Sequence, residues 1–111
     1  MSDRKHSRSS FPRLVHLSSR LTEQQLGELA SKLLRGPTDG PWEELVFKLG
    51  LSKSDVYKHK TDNVYDVWWP CFKALVQWQR CNYAEATVET ILMACQECNI
   101  PYTVYEFLLP H

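Results

Sequence analysis

The chain has 111 residues, 43% of them hydrophobic, with 13 basic and 13 acidic side chains that cancel to a net charge of zero. That is one domain's length of chain with enough apolar content for a core, which excludes a disordered chain, and its longest apolar run, Ile91 to Cys95, is far short of the ~20 residues of a membrane helix. The charge is polarised: residues 1–20 hold five bases and one acid (+4), residues 21–60 six of each (0), and residues 61–111 two bases and six acids (−4).

In chain order, residues 1–20 form a basic segment without a long apolar period, read as a flexible lead-in from which Leu14, Val15 and Leu17 can dock on the rest. The bundle is expected over residues 21–111. Thr22-x-x-Gln25 is a capping box, and Leu26, Leu29, Ala30 and Leu33 follow at helical spacing, so a first helix ends near Arg35 before Gly36-Pro37. Gly36 to Gly40 is a loop. Pro41 suits the first turn of a second helix with the stripe Trp42, Leu45, Val46 and Leu49, and Gly50 is placed for a left-handed C-terminal residue. Ser52-x-x-Asp55 caps a third helix that contains Val56, ends near Lys60, and carries Lys53, Lys58 and Lys60 outward.

The spacing predicts a fourth helix from about Asp66 to Arg80, with Pro70 in its first turn and Leu75 and Trp78 on its apolar side. Cys81 to Ala86 is a loop, and Thr87 caps a fifth helix with Val88, Ile91, Leu92 and Cys95 inward. Pro101 is assigned to the first turn of a sixth helix lined by Val104, Tyr105, Leu108 and Leu109. No segment alternates with a period of two. The expected fold is all-α, a six-helix antiparallel bundle with Trp42, Leu45, Leu49, Leu75, Trp78, Ile91 and Leu92 in its core.

Chemistry is poorly signalled. There is no Gly-rich phosphate loop, no Gly-x-Ser-x-Gly elbow and no His-Glu-x-x-His, so no enzyme activity and no cofactor are expected. Cys71, Cys81, Cys95 and Cys98 are read as reduced thiols of a cytoplasmic protein. Cys95-x-x-Cys98 is a lone pair, and a zinc site needs two further ligands, so no metal is expected. Cys95 is assigned to the core and Cys98 to the cap of the last helical turn. No secretory leader is expected.

Three segments then carry a resemblance. Trp42-Glu43-Glu44-Leu45-Val46-Phe47-Lys48-Leu49-Gly50-Leu51-Ser52-Lys53-Ser54-Asp55-Val56 resembles the passage from helix two to helix three of the death-domain family. Ala74-Leu75-Val76-Gln77-Trp78 is similar to the tryptophan-bearing end of that family's fourth helix, and Ala86-Thr87-Val88-Glu89-Thr90-Ile91-Leu92 to the start of its fifth. The segments stand in the family's order, and the end of the fourth helix is most similar to FADD-type adaptors and ankyrin-like proteins. Asn82-Tyr83-Ala84-Glu85, Pro70 and the pair Trp68-Trp69 depart from the pattern.

The resemblance implies a Greek-key bundle that works by assembly rather than chemistry. Partners would be death-domain receptors, kinases or adaptors, or a second copy, in apoptotic or innate-immune signalling. Such contacts join unlike faces, and clustering by sign supplies two. Lys48, Lys53, Lys58 and Lys60 are assigned to a basic face, and Asp62, Asp66, Glu85 and Glu89 to an acidic one. Each charge is equally what a solvated helix surface carries. Trp68 and Trp69 point about 100° apart on a helix, so both cannot face one core. Either one packs inward while the other covers the lead-in, or they anchor a partner. Arg4, Lys5, Arg8, Arg13 and Arg20 raise the alternative of nucleic-acid binding through the lead-in, which the acidic second half disfavours. The chain itself is read as a fragment, the N-terminal module of a longer protein, or a lone-domain modulator.

Overall fold

A computed structural model describes residues 17–35 and 40–109, with the backbone alone at residues 40 and 41. It contains α1 (Glu23–Leu33), α2 (Gly40–Lys48), α3 (Lys53–Asp62), α4 (Trp68–Cys81), α5 (Val88–Glu97) and α6 (Tyr102–Tyr105), with 3-10 turns at Tyr83–Glu85 and Glu106–Leu108. Leu14, Val15, the basic residues before Leu17 and residues 36–39 of the expected loop lie outside the described residues, and Gly40, expected as the end of that loop, is the first residue of α2.

The helix starts follow from side chains that satisfy donors a helix leaves unpaired. Thr22 Oγ1 accepts the Gln25 N–H at 3.1 Å while Gln25 Oε1 accepts the Thr22 N–H at 2.9 Å. Ser52 and Asp55 repeat this reciprocal arrangement at α3, and Thr87 Oγ1 accepts the Thr90 N–H at α5. Two C-termini close alike. Gly50 (φ 109°) and Asn99 (φ 57°) take the left-handed conformation. There the Gly50 and Leu51 N–H groups reach the Phe47 and Val46 carbonyls, and those of Asn99 and Ile100 reach Gln96 and Cys95. This pair of hydrogen bonds returns the chain inward, and Leu51 and Ile100 are both buried.

α4 is the axis of the bundle: α1, α2 and α3 all pack on it, while α5 packs on α2 and α6 on α1. The core joins Leu26, Leu29, Trp42, Leu45, Cys71, Leu75, Trp78, Ile91, Leu92, Cys95 and Leu108 in one cluster.

Several boundaries differ from the sequence expectation. α4 begins at Trp68, because the Asp66 carboxylate stays outside the helix and accepts the Trp68 N–H at 2.9 Å. Pro70 does stand in the first turn of α4. Pro101 precedes α6 in an extended conformation instead of entering it, and α6 is a single turn that tightens into the 3-10 turn. Leu49, expected in the core, is only partly buried. It follows the last residue of α2, where the chain turns at Gly50, and it borders a surface depression with Lys48 and Glu97.

The ordered contacts also begin before residue 21. Val88 N–H donates to the Ser19 carbonyl and Leu21 N–H to that of Ala86, both at 3.0 Å. The Arg20 guanidinium lies 3.9 Å from the centroid of the Tyr83 ring and donates to its hydroxyl at 2.9 Å, and the Gln79 side chain donates to the Leu21 carbonyl. Leu17 packs against the core.

Candidate interaction surfaces

The cysteines sit in places that suit packing. Cys71 and Cys95 are buried, Cys81 is exposed and Cys98 partly so, all as free thiols. Burial pushes the Cys71 thiol far up and that of Cys95 up to about 12, which removes the thiolate that nucleophilic chemistry requires. Cys98 also terminates α5, donating its N–H to the Ala94 carbonyl. Among the described residues no three His, Cys, Asp or Glu side chains converge as a metal site, and no helix is long and apolar enough to cross a membrane.

The four lysines do not share one face. Lys48 pairs with Glu97 on α5 at 2.8 Å, a contact that raises the lysine's pKa, chiefly through the hydrogen bond. Lys60 pairs with Glu43 on α2 at 3.2 Å and so ties α3 to its neighbour. Lys53 and Lys60 border a common groove, and Lys58 lies off it. Helix geometry is the reason: seven residues make nearly two whole turns, whereas Lys58 is about 140° around the helix from Lys53.

That groove, of about 710 Å³, runs between α2 and α3 and is lined by Glu43, Phe47, Lys53, Tyr57, Lys60 and Val64, among others. Its large side chains face solvent: Tyr57 is 72% exposed, Val64 68% and Phe47 36%. Contiguous exposed apolar surface rimmed by charge marks an interaction site. Sequence reasoning missed the apolar part. The signal was present in Lys53, Tyr57, Lys60 and Val64, which recur at intervals of four, three and four.

The acids divide likewise. Asp62 ends α3 and Asp66 stands just before α4, accepting the Trp68 N–H, at one end of the 14-residue α4, while Glu85 and Glu89 lie beyond its other end. At about 1.5 Å per residue that helix holds the two pairs roughly 20 Å apart. Glu85 borders a depression with Lys48, Met93 and Glu97. Glu89 is in the first turn of α5, where the helix dipole favours negative charge.

The paired tryptophans take different roles. Trp68 stacks on Phe72 with centroids 4.8 Å apart, and its indole N–H donates to Ser31 Oγ on α1 at 2.9 Å. A Cβ on Gly27 would meet Trp68 Cζ2 at 3.4 Å, an ordinary van der Waals distance, so the two helices are in contact here. Trp69 turns outward, 43% exposed, with its ring edge-on to Trp68 at 5.0 Å. One indole thus packs on α1, and the other remains available at the surface.

A helical bundle whose buried groups are packing groups, and whose distinctive residues lie on charged and aromatic surfaces, defines a binding module. The family model described as Death domain matches residues 23–104, from the first residue of α1 to within one residue of the end of α6. The chain belongs to the death-domain family, whose members act through homotypic protein–protein interaction in signalling.

Proposed function

We propose that this domain assembles signalling complexes in the cytoplasm, in apoptotic or innate-immune signalling, by binding receptors, kinases or adaptors that carry the same kind of domain. Its role is non-enzymatic: the partner is held and nothing is transformed. The reading rests on family membership and, for the surface, on one observation above all. The α2–α3 groove presents Tyr57 to solvent between Lys53 and Lys60, with Val64 beyond Lys60. Aromatic anchors in a desolvated centre carry most interface energy, and rim charges set orientation and exclude wrong partners. On this reading residues 21–111 are the binding unit, with Lys53 and Lys60 as the basic contacts, and Lys48 and Lys58 serve other sides. The acids Asp62 and Asp66, and separately Glu85 and Glu89, offer the opposite sign to partners with basic grooves. Trp69 is a further anchor.

Affinity capture from a cytosolic lysate tests this. Parent chain and the double variant Lys53→Glu with Tyr57→Ala serve as parallel baits, and bound proteins are identified by mass spectrometry. Death-domain proteins retained by the parent and lost with the variant are the expected result. Capture of no death-domain protein, or equal capture by both baits, overturns the placement.

A further inference from the structure

We propose that a second concave surface, the groove along α4 between α1 and α3, binds a small organic dianion with an apolar middle and an acid group at each end. This goes beyond the assembly reading and does not depend on it. The groove holds about 520 Å³, within the range of pockets that enclose small molecules, and it shares no lining residue with the α2–α3 groove. Phe72, Val76 and Gln77 of α4 line it, flanked by Glu23 at the start of α1 and His59 of α3. Lys73 and Arg80, both exposed, border it as well. Seven residues make nearly two whole turns, so these two cations stand on one line of α4, ~10 Å apart along the helix.

The charges of these two residues are uncompensated. Among the described residues neither forms an ion pair, whereas Lys32, Lys48 and Lys60 each meet an acid. The Lys73 ammonium lies 5.8 Å from the centroid of the Trp69 ring, a contact that attracts the cation without cancelling its charge. The polar groups between them are already committed to one another. His59 Nε2 donates to Gln77 Oε1 at 2.6 Å, and the Gln77 side chain also bonds to Asp55. The middle of a ligand therefore meets Phe72, Val76 and an amide whose bonds are taken, and an apolar middle suits it. Acid groups are favoured at the two ends, against Lys73 and Arg80. Glu23 opposes an anion, which gives the proposal a second sign to test.

The test titrates the isotope-labelled full chain with the para,para′ dicarboxylate of biphenyl, and in parallel with the monocarboxylate that keeps one acid. Amide shifts are expected to concentrate on Phe72, Lys73, Val76, Gln77 and Arg80. Each exposed ion pair contributes modestly, so the monoacid is expected to bind about threefold more weakly than the diacid, and the double variant Lys73→Gln with Arg80→Gln to bind the diacid roughly tenfold more weakly than the parent does. Glu23→Gln is expected to tighten binding about threefold, as removal of a like charge several ångströms away in water does. Circular dichroism confirms that the variants are folded. A further readout needs no substitution: exposed Cys81 borders the groove, and saturating diacid is expected to slow its alkylation by iodoacetamide, followed at that site by mass spectrometry. Shifts centred elsewhere, equal affinity for the two acids, undiminished binding by the folded double variant, or unslowed alkylation of Cys81 overturns the proposal. None of these outcomes alters the capture of death-domain proteins.

Discussion

Trp78 shows how one side chain can carry fold information without functional information. It is 2% exposed in the middle of the core, on the helix that α1, α2 and α3 all pack against. Replacing a buried tryptophan by alanine removes its transfer energy and leaves a cavity, a cost of ~3–5 kcal/mol. For a domain near this size each kcal/mol lowers the melting temperature by roughly 4–8 °C. Trp78→Ala is therefore expected to leave the chain unfolded or to lower its melt by more than about 10 °C. A melt within a degree or two of the parent would contradict the core placement. Trp69, nine residues earlier, is the converse case, exposed and edge-on to its neighbour. The doubled Trp-Trp signalled that one ring had to turn away. Which ring did so depended on Ser31 of another helix, which accepts the Trp68 indole N–H, information that no local window holds.

At the scale of elements, the chain punctuates itself. Thr22, Ser52 and Thr87 open helices and Gly50 closes one, each through hydrogen bonds within four or five residues, so the sequence reveals them; Asn99, which closes α5 in the same way, was not singled out. Elements that depend on distant partners were less legible. α6 shortens to one turn where it meets α1, and Arg20 is fixed by Tyr83, 63 residues away. The same distinction divides the candidate site. The lysine cluster was visible, and the angle between Lys53 and Lys58 follows from spacing alone, but the ion pairs of Lys48 and Lys60 were not legible, because Glu97 and Glu43 arrive from other helices.

The α3 cap also gives a pH dependence. The Asp55 carboxylate accepts the Ser52 backbone N–H, and bonds from the Gln77 and Ser52 side chains add to this, holding it below its ordinary value of 3.8. The unfolded chain therefore takes up the proton first as pH falls. The stabilisation is present in full above the ordinary value and is lost as pH drops through the lower folded value. Denaturation midpoints of the parent should fall more steeply below about pH 4 than those of Asp55→Asn. Parallel curves for the two would show that this cap does not form.

For the whole molecule, a net charge of zero conceals a strongly asymmetric object. Basic and acidic residues are segregated along the sequence, and among the described residues the fold brings opposite signs together at Lys48–Glu97 and Lys60–Glu43. The buried groups account for stability, and the proposed binding surface is made of exposed groups on α2 and α3. The most direct measurement is amide chemical-shift mapping of the labelled domain on addition of the recombinant death domain of the partner most enriched in the capture experiment. The account predicts perturbations concentrated on Phe47, Lys53, Tyr57, Lys60 and Val64, and their loss in Lys53→Glu with Tyr57→Ala. Perturbations confined to another side, such as the neighbourhood of Trp69 and Lys73, would contradict it.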